Sequence, residues 1–167
     1  MSFTAAVLTV SDSVHEGTRQ DRSGPAVRQR LESAGWRVPR LDVLPDEPGQ
    51  IAAHLTNLAD SGEVSAIFTT GGTGLAARDR TPEATRQVIE REIPGIGEKM
   101  RAAGRTKTPL ADLSRGLAGT RGRTVIVNLP GSPKGAVESL DAILDIVPHV
   151  VDLLCGRTDH PAGLQRD

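Results

Sequence analysis

The sequence predicts a three-layer α/β/α domain on a mostly parallel sheet, and three observations carry that expectation. Short β-branched runs alternate with amphipathic helical segments along the chain. Their order reads β-α-β-α-β-α-(α)-β-β-α, and parallel strands need crossover helices of this kind. The 167 residues suit one domain, which at this size buries about 70% of its unfolded surface without a disulfide or metal to hold it. The expected organisation is a single domain over residues 1–156 and a polar tail over residues 157–167.

Residues 5–10 read as a buried strand cut off by Ser11-Asp12. Residues 21–34 follow with helical period, Val27 and Leu31 at i and i+4, closed by Gly35. Residues 36–44 form the second strand. Residues 47–60 place Ile51, Leu55 and Leu58 on one helical stripe closed by Gly62, and residues 65–70 form the third strand. Thr81-Pro82-Glu83 combines an N-cap, a proline at the first helical position and an acid in the first turn, with Ala84, Val88 and Ile89 facing inward. Pro94 ends or bends that helix, and a shorter helix over residues 95–103 follows. Residues 108–113 read as a weak strand and residues 124–129 as a strong one. Residues 133–154 are a long apolar helical stretch that Pro148 is expected to split.

Twenty basic residues against 21 acidic give a net charge of −1, so no basic field draws in nucleic acid. The aromatics Phe3, Trp36 and Phe68 supply no stacking platform for single strands. No nucleic-acid partner is expected. The lone Cys155 cannot form an internal disulfide and reads as a buried small hydrophobe at a helix end, which suits a reducing, cytoplasmic setting. The first apolar run is too short for a secretory leader or a membrane span. His15, His54, His149 and His160 lack the spacing of a zinc site.

In open parallel sheets ligands bind beyond the carboxyl ends of the strands, and the unusual residues of this chain collect there. The Thr69-Thr70-Gly71-Gly72-Thr73-Gly74 loop leaves backbone N–H groups uncovered for a phosphate, and its threonine hydroxyls add donors. Residues 72–77 satisfy a relaxed G-x-G-x-x-A dinucleotide pattern, but the helix begins too late for that motif. Asp46 and Asp79 lie in loops at the same edge and suit Mg²⁺, which takes one or two carboxylates plus substrate phosphates. Asp46 is equally placed to cap the next helix, and Asp79 to be a solvated turn residue paired with Arg78 or Arg80. Ser11 and Asp12 either face a ligand or cap a turn. Asn128 either reads a ligand edge or ties down the Pro130-Gly131 turn. Ser132-Pro133 begins a helix whose positive end points to the same edge, while Ser114-Arg115 reads as structural on composition alone.

At these residues the chain resembles the MogA/MoaB family of molybdenum-cofactor biosynthesis proteins. The resemblance runs through Leu8-Thr9-Val10-Ser11-Asp12, Asp21-Arg22-Ser23-Gly24-Pro25, Leu44-Pro45-Asp46-Glu47, residues 69–74, Arg78-Asp79, Thr81-Pro82-Glu83-Ala84-Thr85, Pro94-Gly95, Met100-Arg101, Leu113-Ser114-Arg115 and residues 128–133. It implies a Rossmann-like molybdopterin-binding fold and molybdopterin adenylyltransferase activity, in which molybdopterin and ATP give adenylyl-molybdopterin and pyrophosphate. Asp46 and Asp79 resemble the family aspartates tied to catalysis and Mg²⁺. The implied substrate contacts are Thr9, Ser11, Thr70, Gly71, Gly72, Thr73, Gly74, Ser114, Asn128, Pro130 and Gly131. The resemblance thus moves Ser114 from a structural to a ligand-contact position. It further implies a homotrimer and a molybdate-insertion partner protein. The alternatives are a non-catalytic pterin carrier of the MoaB type and a nucleotide hydrolase on the same cradle.

Overall fold

A computed structural model describes residues 3–158. Its strands are β1 (Thr4–Val10), β2 (Arg37–Leu44), β3 (Ala66–Thr70), β4 (Arg91–Glu92), β5 (Ala118–Arg121) and β6 (Thr124–Leu129), in one sheet of order β2-β1-β3-β6-β5-β4. The pairs β1/β2, β1/β3 and β3/β6 are parallel, while β4/β5 and β5/β6 are antiparallel. The helices are α1 (Asp12–His15), α2 (Ser23–Ser33), α3 (Pro48–Ser61), α4 (Thr81–Val88), α5 (Pro94–Arg105), α6 (Pro133–Ile143) and α7 (Val147–Leu154), with a 3-10 turn at Pro109–Leu113.

Alternation along each strand divides the core into two layers. Ala5, Val7, Phe68, Val125, Val127 and Leu129 pack against α2, α5, α6 and α7 through Val27, Leu31, Ile96, Leu140, Ile143 and Val151. Ala6, Leu8, Val10, Ile67 and Ile126 pack on the other face against Ile51, Leu55 and Leu58 of α3 and Ala84 and Val88 of α4. The expected three-layer α/β/α architecture is therefore present. All three aromatics meet in the first layer, with Trp36 5.1 Å from Phe3 and 6.1 Å, edge-on, from Phe68 by ring centroids.

Several local expectations are corrected. Residues 108–113 form the exposed 3-10 turn instead of a strand, with the Thr108 hydroxyl accepting from the Leu110 N–H. The strands β4 and β5 were not anticipated: β4 has two residues, and β5 begins Ala118-Gly119, which carries little β propensity. The helix begun at Thr81 ends at Val88, before β4, so Pro94 starts α5 instead of ending α4. Thr81 lies inside α4, whose N-cap position is Arg80. The break in the last helix falls between Ile143 and Val147, and Pro148 sits in the first turn of α7, where a missing N–H costs nothing. Cys155 is exposed, contrary to its expected burial. The expected tail at residues 157–167 lies outside the described residues beyond Thr158.

Leu140 of α6 is fully buried in the first core layer. Leu140→Ala is expected to lower stability by about 2–5 kcal/mol, read as a reduced urea midpoint at unchanged denaturant slope.

Candidate functional site

The strand order places β1 between β2 and β3, so the chain leaves β1 toward one side of the sheet and later returns on the other. Such a reversal opens a crevice at the carboxyl edge. A cleft of about 800 Å³ occupies that place, lined by the ends of β1 and β3, by the loops after β1, β2, β3 and β6, and by the segment between α1 and α2. It gathers Thr9, Ser11, Asp46, Thr70, Gly71, Gly72, Asp79 and Gly131. A smaller hollow of about 210 Å³, lined by Met100, Leu110 and Ala111 among others, takes Ser114, Asn128 and Pro130 and shares Ser132 with the cleft. Thr73 and Gly74 line neither; Thr73 is buried.

The floor of the cleft is fixed by bonds among the strand exits. The Ser11 N–H donates to Leu44 O at 2.9 Å, the Gly71 N–H to Leu129 O at 3.2 Å, and the Thr70 hydroxyl to Pro130 O at 2.6 Å. Gly71 has φ +104°, and a Cβ there would stand 2.2 Å from Val10 O, so no other residue fits without moving β1. Gly72 is left-handed as well, and its ideal Cβ would meet the Thr81 hydroxyl at 2.2 Å. That hydroxyl donates to Gly71 O at 3.0 Å, and the Thr81 N–H to Gly72 O at 3.1 Å. Thr81 thus ties the loop to α4 instead of capping it. The backbone N–H groups of Gly72, Thr73 and Gly74 meet no acceptor among the described residues. The Gly72 amide, at the cleft wall, is the open donor expected of an anion cradle.

The carboxylates differ in how they are held. Asp12 and Asp46 exchange bonds: the Asp12 N–H donates to Asp46 Oδ2 and the Asp46 N–H to Asp12 Oδ1, both at 2.9 Å. Both Asp12 oxygens also accept from Arg78, at 2.5 and 3.1 Å, and Arg78 reaches Glu47 at 2.9 Å. The Arg78 hydrogen bonds hold the Asp12 carboxyl below its usual range. Burial pushes the Asp46 carboxyl up, and the charges of Asp12 and Asp79 push it further. Asp46 does not cap α3, whose N-cap is Glu47. Asp79 Oδ2 accepts from the Ala76 N–H at 3.0 Å, closing a turn, and Asp79 pairs with neither Arg78 nor Arg80. One oxygen of Asp46 and one of Asp79, the Oδ1 in each case, accept no hydrogen bond among the described residues. These two carboxylates fit a divalent cation: both line the cleft, each keeps an oxygen free, and their mutual repulsion is relieved by positive charge. No group of three or more His, Cys, Asp or Glu residues suited to a metal occurs among the described residues.

Other expected contacts are already occupied. Asn128 is 1% exposed; its amide donates to Thr69 and Thr85 hydroxyls at 3.0 and 2.9 Å, and its Oδ1 accepts from the Leu117 N–H at 3.4 Å. Its side chain joins β6, β3 and α4, and does not tie down the Pro130-Gly131 turn. The Thr9 hydroxyl donates to Asp21 Oδ2 at 2.9 Å. Ser11 caps α1 by accepting from the Val14 N–H at 3.3 Å, and Ser132 caps α6 by accepting from the Gly135 N–H at 3.1 Å.

Arg115 bears out the structural reading of Ser114-Arg115, whereas Asp21 and Arg22 entered the sequence reading only through the family resemblance, and Arg19 and Gln20 were missed. Arg115 grips the loop from behind: its N–H donates to Thr73 O, Nε to Gly74 O and Nη2 to Asp79 O, all at 2.8–2.9 Å, and Nη1 pairs with Glu83. Burial pushes the Glu83 carboxyl up, yet its bonds to Arg115 and backbone bring it below its usual value. The local sequence gives no sign of these long-range bonds. Arg19, Gln20, Asp21 and Arg22 line the cleft from the α1–α2 loop, and the Asp before a Ser-Gly helix start was the available signal.

Residues 6–149 match the family described as a probable molybdopterin binding domain. The chain is 39% identical over 152 residues to the molybdopterin adenylyltransferase of Helicobacter pylori strain J99, covering 90% of this chain and 86% of that protein. It is 41% identical over 154 residues to the molybdenum cofactor synthesis protein cinnamon of Drosophila melanogaster, covering 92% of this chain but only 26% of that longer protein. The crystal structure of the molybdopterin biosynthesis enzyme MoaB from Thermus thermophilus superposes with a TM-score of 0.87 at 52% identity, covering 92% of this chain and 97% of that one.

Arg115→Ala is expected to lower stability by about 1–3 kcal/mol and to speed amide exchange across residues 72–80, with β1 unaffected. Asp46 makes a second prediction. Its folded carboxyl lies above the ordinary value of 3.8, so the folded chain holds a proton there that the unfolded chain has already lost. The contribution of this group to stability falls as pH rises through that window and returns below it. Asp46→Asn is therefore expected to raise the melting temperature at pH 7 by about 2 °C, a small gain because the site is partly solvated. The gain should vanish below about pH 3.8 in calorimetric scans.

Proposed function

The chain belongs to the MogA/MoaB family of molybdopterin-binding domains, and on that premise we propose that it transfers AMP from ATP to the terminal phosphate of molybdopterin, releasing pyrophosphate. The observation that carries this reading is that Asp46 and Asp79, each with a free oxygen, line one cleft beside the glycine loop, whose Gly72 amide is open to it. In the reaction an oxygen of the molybdopterin phosphate bonds to the α-phosphorus of ATP. The bond from that phosphorus to the β-bridging oxygen breaks, and pyrophosphate departs with the electron pair. Two anions must be brought together and a third expelled, so the site must orient the reactants and compensate their charge.

The chain's own groups divide that work. The open N–H of Gly72 offers a donor to phosphate oxygens, and the positive end of α6 at Ser132 faces the same cleft. Asp46 and Asp79 would hold Mg²⁺ through their free oxygens. When bound, the ion neutralises charge on the phosphates. Asp12, already paired with Arg78, sets the position of Asp46 through the two exchanged bonds. The 210 Å³ hollow beside the cleft offers an apolar wall with Ser114 at its rim for the pterin end of the acceptor.

The same reading includes a homotrimer, a cytoplasmic setting and a downstream protein that inserts molybdate. Leu153, exposed on α7, and Leu110 and Leu113, exposed on the 3-10 turn, are apolar surface available to such contacts. No helix among the described residues is long and apolar enough to cross a membrane.

Pyrophosphate release from Mg-ATP, measured with and without purified molybdopterin, tests the activity directly. Release is expected to need the pterin and to fall at least about a hundredfold in Asp46→Ala and Asp79→Ala. Asp79→Asn should lose turnover while keeping pterin affinity, as a group acting in the transition state does. Tight pterin binding without release would make the protein a carrier, and release without pterin would make it a hydrolase.

A further inference from the structure

Around the cleft, nearly every charged side chain is committed. Arg78 is engaged by Asp12 and Glu47, and the Arg115 guanidinium by Glu83 and two loop carbonyls. Arg19 and Arg22 line the same cleft, and neither guanidinium meets a carboxylate or carbonyl among the described residues. The acid between them in sequence does not neutralise them. Asp21 Oδ2 accepts from the Thr9 hydroxyl at 2.9 Å and Oδ1 from the Gly24 N–H at 3.0 Å.

Those two bonds also fix the backbone from which Arg22 projects. Gly24 packs so closely that a Cβ there would lie 2.3 Å from the Thr9 hydroxyl and 2.6 Å from Asp21. The start of α2 is thereby fastened to the end of β1. A firm anchor carrying uncommitted guanidiniums is what a polyanion-binding wall requires, because the cost of ordering is confined to two side chains. The cleft is polarised as a result, with Asp46, Asp79 and the glycine loop on its β1–β3 side and two free cations on the α1–α2 loop.

Resting on the adenylyl-transfer reading, we propose that Arg19 and Arg22 bind the β- and γ-phosphates of ATP and therefore the pyrophosphate that leaves. The carboxylates repel bare phosphate and would meet the α-phosphate end only with a cation held between their free oxygens to supply positive charge. The arginines take the opposite end of the same ligand by charge-assisted hydrogen bonds. As the bond to the α-phosphorus breaks, the departing β-phosphate oxygen gains negative charge, and the guanidiniums offset it without receiving a proton. The adenosine part does not engage them. They discriminate a triphosphate from a monophosphate.

Calorimetric titration of the full chain with Mg-ATP, Mg-pyrophosphate and AMP separates these parts. Arg19→Ala and Arg22→Ala are each expected to weaken ATP and pyrophosphate at least about tenfold, the lower end for one lost charge-assisted bond, and to leave AMP within about twofold. Arg22→Lys should recover part of the loss, and melting temperatures should be unchanged because both side chains are exposed. Equal weakening of AMP, or unchanged binding of ATP and pyrophosphate, would overturn the proposal. Pyrophosphate binding needs no pterin, so it tests the arginines even if the wild type fails to adenylylate molybdopterin. That failure would sink the parent reading alone. Wild-type turnover with unaltered ATP and pyrophosphate affinity in both variants would sink the arginines alone.

Discussion

Parallel register is the constraint from which the site follows. Because β2, β1, β3 and β6 all run the same way, Leu44, Val10, Thr70 and Leu129 end on one edge, and each loop begins beside another. Backbone groups at such an edge have lost their ladder partners and must find others. Some do so among themselves, as Ser11 does with Leu44 and Gly71 with Leu129. The amides of Gly72, Thr73 and Gly74 do not, and the reversal of strand order between β1 and β3 leaves room in front of Gly72. The cleft is a product of topology before any side chain is considered.

Charge is arranged on that frame with an imbalance that serves binding. The charges of Asp12 and Asp79 both act on Asp46, and Arg78 compensates chiefly Asp12. A surface optimised for stability alone would have paired all three. Here Asp12 is converted into a fixed structural element, gripped by Arg78 and bonded to the Asp46 backbone, while Asp46 is held in place but kept electrostatically dissatisfied. Arg115 performs a parallel service on the far side of the glycine loop, holding the carbonyls of Thr73, Gly74 and Asp79 so that the loop keeps its shape without a ligand.

Elements governed by local pattern were legible in the sequence. The strands β1, β2, β3 and β6 and the helices α2 and α3 came from periodicity and end signals, and Gly62 does close α3 in the left-handed conformation. The convergence of Asp46, Asp79 and the glycine loop followed from strand polarity, and the structure brings them together. What stayed hidden depends on tertiary partners. The strands β4 and β5 exist because β6 offers an antiparallel edge, and no stretch of residues 91–92 could announce that. Asn128 looks like a ligand reader in an isolated strand, yet its valences are consumed by Leu117 and by Thr69 and Thr85, the last two more than 40 residues away in the chain. Thr81 has the local grammar of a helix cap, and a distant carbonyl, Gly71 O, claims its hydroxyl instead.

The bonds that seat the glycine loop have a consequence for how the protein is made. Gly71 and Thr70 are anchored to Leu129 and Pro130, which the ribosome adds about 60 residues later, a delay of roughly 3–12 s at ordinary rates of synthesis. During that interval β1, β2 and β3 can pair, but the inner edge of β3 has no neighbour and the loop has no floor. A growing chain therefore holds no finished cradle with which to sequester nucleotide or pterin. Ligand capture waits until the sixth strand slides in beside the third, so an incomplete polypeptide is also an inert one.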